Sequence, residues 1–281
     1  MEEHLHQIRE QQRASWDKFS GGWKKWDDLT MEFLAPVGDA IVRSLSPNGS
    51  HVVLDIAAGT GEPGLTIASM LTDGHVVITD LSENMLEIAR ENATRRGITN
   101  IRTQACDVCE LPFDDNTFDS ISCRFGFMFF PDMAIATQEM VRVLKPGGKI
   151  STAVWNVPEK NMWVTAMMGS INKHLDLPQP PAGAPGIFRC AQDGHMVELF
   201  RAAGLLDLEQ HEVPTTLNSG TADVYWEMMN DIAAPVVAAL ATADESQLAA
   251  IKHDVCDVVN KRFPHGNVVI DASALVVVGV K

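Results

Sequence analysis

The segment from Val52 to Gly64, VVLDIAAGTGEPG, constrains this chain more than any other. Val52, Val53 and Leu54 lead into Asp55. A run of small residues follows, Ala57, Ala58, Gly59, Thr60 and Gly61, and after it Leu65, Ile67, Ala68 and Leu71 stand at helical spacing. Strand, tight turn and helix in that order open a nucleotide-type α/β unit. Small residues let a ligand approach the backbone closely. Unbonded N–H groups at the start of the helix would favour a carboxylate or a phosphate. The stretch therefore reads as a ligand cradle.

The rest of the chain continues the rhythm. Residues 2–18 form a polar helix, ended by Ser20, Gly21 and Gly22. Trp23 and Trp26 follow, and a second helix spans 27–45. After the cradle, a strand over 75–79 ends at Asp80, and a helix capped by Ser82 runs to Gly97. A third strand over 101–105 ends at Cys106 and Asp107, and a fourth over 118–123 ends at Arg124. A helix from Asp132 to Leu144, a turn at 145–148 and a fifth strand over 149–155 come next. This alternation predicts an α/β fold: a Rossmann-like, seven-stranded, mostly parallel sheet with helices on both faces.

Beyond residue 156 the spacing changes. A helix around 162–175 leads into a loop rich in proline (Pro178, Pro180, Pro181, Pro185), then a helix over 191–203 and a strand over 206–213. More helices fill 221–262, broken at Pro235, and a β-rich run closes the chain at 268–280. The expected organisation is an N-terminal helical lid (1–48), a cofactor-binding core (49–156), helical cap insertions (157–190 and 221–264) and a C-terminal part of the core sheet (191–220 and 265–281).

Asp55, Asp80 and Asp107 fall at the carboxyl ends of the first three strands, the edge where open parallel sheets bind ligands. Asp80 can accept both hydroxyls of a ribose, Asp55 can face an ammonium group, and Asp107 can accept from an exocyclic amine of adenine. A ligand with an adenine, a ribose and an amino-acid tail meets these demands. NAD is the rival, because Gly59, Gly61 and Gly64 match G-x-G-x-x-G. In that fingerprint, however, the first glycine follows the strand at once, whereas here an acidic residue and three more intervene.

The strings VLDIAAGTGEPG, TDLSENMLEIAR, CDVCELPF, FDSISCRFGFMFFPD and EMVRVLKPGG, in this order over residues 50–155, resemble class I S-adenosylmethionine-dependent methyltransferases. The similarity is to the branch of ubiquinone/menaquinone C-methyltransferases and related small-molecule enzymes. It implies S-adenosylmethionine as cofactor and a small, largely apolar acceptor such as a quinone, polyketide or thiol. By position it implies Gly59, Thr60 and Gly61 under the methionine part, with Asp55 and Ala57 beside its amino group. Asp80 would hold the ribose, Leu81 and Met85 the adenine face, and Cys106, Asp107 and Val108 the adenine edge. Arg124 and Phe125 would line the methionine side, and Trp23 would close over the cofactor. The family often has glycine at position 57 or 58, and here both are alanine.

No general base stands out. His174 and His195 flank the proline-rich loop, and Tyr225 is the single tyrosine; these three are the candidates. Phe127, Met128, Trp163 and Trp226 are candidates for an apolar substrate pocket. Cys106 and Cys109 form a C-x-x-C, but no second pair or nearby histidine completes a zinc site, so no metal is expected. A three-thiol arsenic-type methyltransferase would recruit Cys123. The formal net charge of −15 argues against a nucleic-acid partner. No apolar run approaches the roughly 20 residues of a membrane span. The expectation is a soluble cytoplasmic protein, free of membrane insertion, that could form a homodimer. Two other functions fit: an NAD-dependent oxidoreductase, or a non-catalytic S-adenosylmethionine-binding protein.

Overall fold

In the computed structural model, which describes residues 2–178, 181 and 183–281, two helices precede the sheet. They are α1 (Glu2–Lys25) and α2 (Asp27–Leu45). The first unit is β1 (Val52–Ile56), α3 (Gly64–Met70), β2 (His75–Asp80), α4 (Glu83–Arg95) and β3 (Ile101–Ala105). The second is β4 (Phe118–Arg124), α5 (Met133–Val143) and β5 (Leu144–Trp155). Then come α6 (Met162–His174), α7 (His195–Ala202), β6 (Leu206–Gly220), α8 (Ala222–Ile232), α9 (Ala234–Leu240), α10 (Glu245–Arg262) and β7 (Val268–Val280). Pro180 of the proline-rich loop lies outside the described residues.

The seven strands make one sheet in the order β3-β2-β1-β4-β5-β7-β6. Strands β1 to β5 pair in parallel, and β7 is antiparallel to both β5 and β6. The order reverses between β1 and β4, so the crevice above their carboxyl ends is the topological switch point. Buried, β-branched runs such as Val76–Ile78 and Val276–Val278 fill the middle of the sheet, as burial on both faces requires. No helix among the described residues is long and apolar enough to cross a membrane.

Three boundaries differ most from the sequence reading. The first helix does not stop at Ser20-Gly21-Gly22 but runs on to Lys25. A β-carbon at Gly22 would lie 2.3 Å from the Asp231 carbonyl oxygen, so this glycine lets α1 pass against α8. Trp26 Nε1 and Lys25 Nζ then both bond to Asp231 Oδ2, at 2.8 and 2.9 Å. Strand β6 extends to Gly220, beyond the expected end at 213, because β7 offers a partner along that length. Strand β5 begins at Leu144, before the expected turn. Its Gly147 and Gly148 exchange backbone bonds with Lys281, Gly147 N–H donating at 2.8 Å and Gly148 accepting at 2.9 Å.

Gly21 and Gly22 make opposite predictions one residue apart. Nothing lies within 4 Å of a β-carbon at Gly21, so Gly21→Ala should stabilise the fold by about 0.5–1 kcal/mol through helix propensity. Gly22→Ala should destabilise it by about 1–3 kcal/mol through overpacking. Urea unfolding of the two variants checks the sign of each.

Candidate functional site

The switch point opens into a cavity. Its floor is the turn after β1 (Ile56 to Thr60) with Thr79, Asp80 and Leu81 at the end of β2 and Cys106, Asp107 and Val108 after β3. Arg124, Phe125 and Gly126 at the end of β4 form one wall, and Trp155 ends β5 beside them. Helix α1 roofs the cavity with Gln12, Trp16 and Trp23, and α2 adds Thr30, Phe33 and Leu34.

Asp55 is fully buried within β1, one residue before the strand ends. Its Oδ2 accepts from the Gly64 N–H at 2.8 Å and its Oδ1 from the Ser122 hydroxyl at 2.6 Å. It therefore ties β1 to the start of α3 and to β4, and it does not line the cavity. Burial pushes its carboxyl up to about 7, against the lowering effect of Ser122 and Gly64. Gly61 also lies off the cavity wall, where its φ of +111° and the side chains of Leu65 and Ala89 exclude a β-carbon.

The helix start, expected to favour a carboxylate or a phosphate, is not free. The Gly64 N–H is held by Asp55, Leu65 N–H by the Gly61 carbonyl at 2.8 Å, and Thr66 N–H by Glu62 Oε2 at 3.1 Å. Each N–H at the head of α3 thus has a partner, two of them carboxylates, and an anion would meet negative charge there.

Asp80 is 8% exposed at the cavity floor. Its Oδ2 accepts from Gly59 N–H and its Oδ1 from Ser82 N–H, both at 2.9 Å. Burial pushes its carboxyl up, with these bonds pulling the other way. Each carboxylate oxygen keeps a further lone pair for a ligand hydroxyl. Asp107 pairs with Arg9 of α1 at 3.2 Å, and Ser82 Oγ donates to Asp17 Oδ1 at 2.6 Å, so polar bonds latch the roof to the rim. The buried Trp23 Nε1 has no partner among the described residues, which leaves a donor for a ligand.

Ala57 and Phe125 follow β1 and β4 directly and both have positive φ, +52° and +64°. A left-handed conformation costs a non-glycine residue about 1–2 kcal/mol. The two turns press together: a β-carbon on Gly126 would sit 2.7 Å from Ala57 Cβ. The chamber wall beyond them is aromatic. Phe125 stacks on Trp155 at 4.3 Å between centroids, Phe33 stacks on Trp155 at 5.7 Å, and Trp163 leans on both.

Of the residues expected from the sequence, Trp23, Ala57, Gly59, Thr60, Asp80, Leu81, Met85, Cys106, Asp107, Val108, Arg124, Phe125, Met128 and Trp163 all line the cavity. Phe127 is instead buried against Phe130 and Phe200. Trp226, within α8, is half-buried against the core and does not line the cavity. Tyr225 is fully buried and donates to the Trp163 carbonyl at 2.7 Å; burial pushes its hydroxyl up, so it is poorly suited to take a proton. His174 pairs with Asp254 at 2.9 Å, between α6 and α10. His195 opens α7 and does not reach the cavity.

The three thiols do not converge. Cys106 lines the cavity, Cys109 faces a separate hollow with Leu5, His6 and Arg9, and Cys123 is buried beneath Gly126. Burial pushes each of them up to about 12, so none is a ready thiolate. Sequence reasoning missed Gln12, Trp16, Thr30, Phe33 and Glu62 as lining residues. Glu62 had a signal, since it directly follows G-x-G; the others depend on how α1 and α2 cross the crevice.

A family model described as a methyltransferase domain matches residues 53–148. The match covers these residues and not the rest of the chain. The chain is 40% identical over 114 residues to the ubiquinone/menaquinone biosynthesis C-methyltransferase UbiE of Cellvibrio japonicus, covering 40% of this chain and 46% of that protein. It is 34% identical over 166 residues to the demethylmenaquinone methyltransferase of Listeria monocytogenes, covering 56% and 65%. The chain thus spans about half to two thirds of the length of these relatives. Among solved structures, the YcgJ protein of Bacillus subtilis shares the fold with a TM-score of 0.58 and 21% identity, over 87% of this chain and 97% of that one.

The turn after β1 and the buried Asp55 each carry a prediction. Ala57→Gly removes the left-handed penalty and should raise stability by about 1 kcal/mol, read as a higher melting temperature. For Asp55, the raised carboxyl means that the folded state holds a proton the unfolded chain has released between about pH 4 and 7. This group's contribution to stability is therefore full at low pH and falls as pH rises through about 7. Asp55→Asn should flatten that part of the profile, and the difference between the two denaturation curves across pH 4–8 isolates it.

Proposed function

We propose that this protein transfers a methyl group from S-adenosylmethionine to a small, largely apolar acceptor. The observation that carries the reading is Asp80, seated on the turn at Gly59 with lone pairs open to the cavity and an acceptor-rich rim on either side. A cationic, hydroxyl-bearing cofactor suits that rim. A dinucleotide does not, because its pyrophosphate would meet a helix start whose N–H groups Asp55 and Glu62 already hold.

The residues present fit the cofactor. Asp80 would accept from the ribose hydroxyls, with Leu81 and Met85 against one adenine face and Val108 and Asp107 at its edge. Ala57, Gly59 and Thr60 would bed the methionine part. Trp23, with its unpartnered Nε1, would close from above. When bound, the cofactor supplies a methyl group already activated by its sulfonium charge. The chain's own contribution is then placement and dryness. The roof of α1 excludes water, and the wall of Phe33, Phe125, Trp155 and Trp163 orients an apolar acceptor across from the turn. Trp16 packs edge-on against Phe129 at 5.1 Å between centroids, closing the roof over the same chamber. The relatives' quinone chemistry supports an acceptor of that character. The acidic balance, net −15, favours a small molecule over a nucleic acid, and the protein acts in the cytoplasm.

Asp80→Ala should weaken binding of S-adenosylhomocysteine by about 10- to 100-fold, the range of a lost charge-assisted hydrogen-bond pair. Calorimetry measures it, and unchanged affinity would remove Asp80 from the site.

A further inference from the structure

Four charged side chains line the described part of the cavity: Glu62, Asp80, Asp107 and Arg124. Three of them are answered within the protein. Glu62 pairs with Arg96, Asp107 pairs with Arg9, and Asp80 accepts from two backbone N–H groups. Arg124 is different. Its Nη2 donates to the Met31 thioether at 3.6 Å, a weak acceptor for a cation. Its Nη1 passes over Gly38, 3.8 Å from where a β-carbon would stand. Asp27, Asp55 and Glu62 are near enough to favour its charge, but none is its ion-pair partner. Asp55 is spent on Gly64 and Ser122, and Asp27 on Arg95 and Asn92. A guanidinium does not lose its proton in a protein, and its flat fork matches a carboxylate with two parallel bonds. Its position narrows the choice of anion: it ends β4, between the turn after β1 and the aromatic wall.

Resting on the methyltransferase reading, we infer that Arg124 is the carboxylate receptor of this cavity. The carboxylate of the cofactor's amino-acid tail would reach it beside the Ala57 turn. A carboxylate on the acceptor would reach it from the aromatic side. Both offer the same chemistry, and the experiment separates them.

The full chain and its Arg124→Gln variant are titrated calorimetrically with S-adenosylhomocysteine and with its decarboxylated analogue. If the cofactor's carboxylate is the partner, the native chain prefers S-adenosylhomocysteine by about 10- to 100-fold, and Arg124→Gln brings that ratio close to one without weakening the analogue. If the acceptor's carboxylate is the partner, the ratio is unchanged, and benzoate binds the S-adenosylhomocysteine-loaded native chain but not the loaded variant. If the ratio is unchanged and benzoate binding does not depend on Arg124, the inference is overturned. Arg124→Lys keeps the charge without the fork and should recover part of the discrimination, which gives a reading even if the glutamine variant fails to fold. Failure of the native chain to bind S-adenosylhomocysteine would instead overturn the methyltransferase reading. Benzoate titrated into the unloaded chains would then still test Arg124.

Discussion

The Asp55 carboxylate is the interaction on which this site depends. A charged or proton-bearing group in the middle of a sheet is costly unless its oxygens are bonded, and here both are, by Gly64 N–H and the Ser122 hydroxyl. Those two bonds join β1, the head of α3 and β4, the three elements whose meeting makes the crevice. The fit is close enough that a β-carbon on Gly64 would lie 2.6 Å from Asp55 Oδ2, so the glycine is required by packing on the carboxylate, at an ordinary backbone conformation. One acidic side chain therefore fixes the small-residue turn in place and, together with Glu62, cancels the anion affinity that the helix would otherwise present.

That cancellation sets the character of the cavity. With the N–H groups of α3 consumed, the rim is left with hydrogen-bond acceptors at Asp80 and Asp107 and one guanidinium at Arg124. An aromatic wall lies on the far side. Polar recognition sits at one end and apolar shape at the other, an arrangement that suits joining a polar cofactor to an apolar acceptor. The strained backbone at Ala57 and Phe125 lies at the junction of the two ends. It is held there by the contact of the two turns through Gly126.

Most of the fold was legible in the chain. The alternation of short β-branched runs with helices of period 3.6 sufficed for β1 to β4 and their helices, because parallel strands buried on both faces read as continuous apolar segments. The glycine pair in α1 misled, because local propensity marks Gly21 and Gly22 as a break while the packing of α1 on α8 makes Gly22 necessary inside the helix. The length of β6 was hidden for a similar reason: its second half opens at Pro214 and is mostly polar, although Thr215, Leu217 and Ser219 are buried there, and its partner β7 lies some fifty residues away in the chain.

What the sequence by itself determined is the cradle, the strand ends and the acids that stand there, since these follow from spacing along one continuous backbone. Only the tertiary structure decided which of those acids faces a ligand. Asp55 and Asp80 occupy similar places in the sequence pattern. Asp55 sits one residue inside its strand, where its side chain meets α3 and β4, whereas Asp80 ends its strand and looks into the crevice. The roof from α1 and α2, and the lack of an ion-pair partner for Arg124 among the described residues, were likewise settled by packing. Each depends on how distant segments cross the switch point, and no local pattern records that.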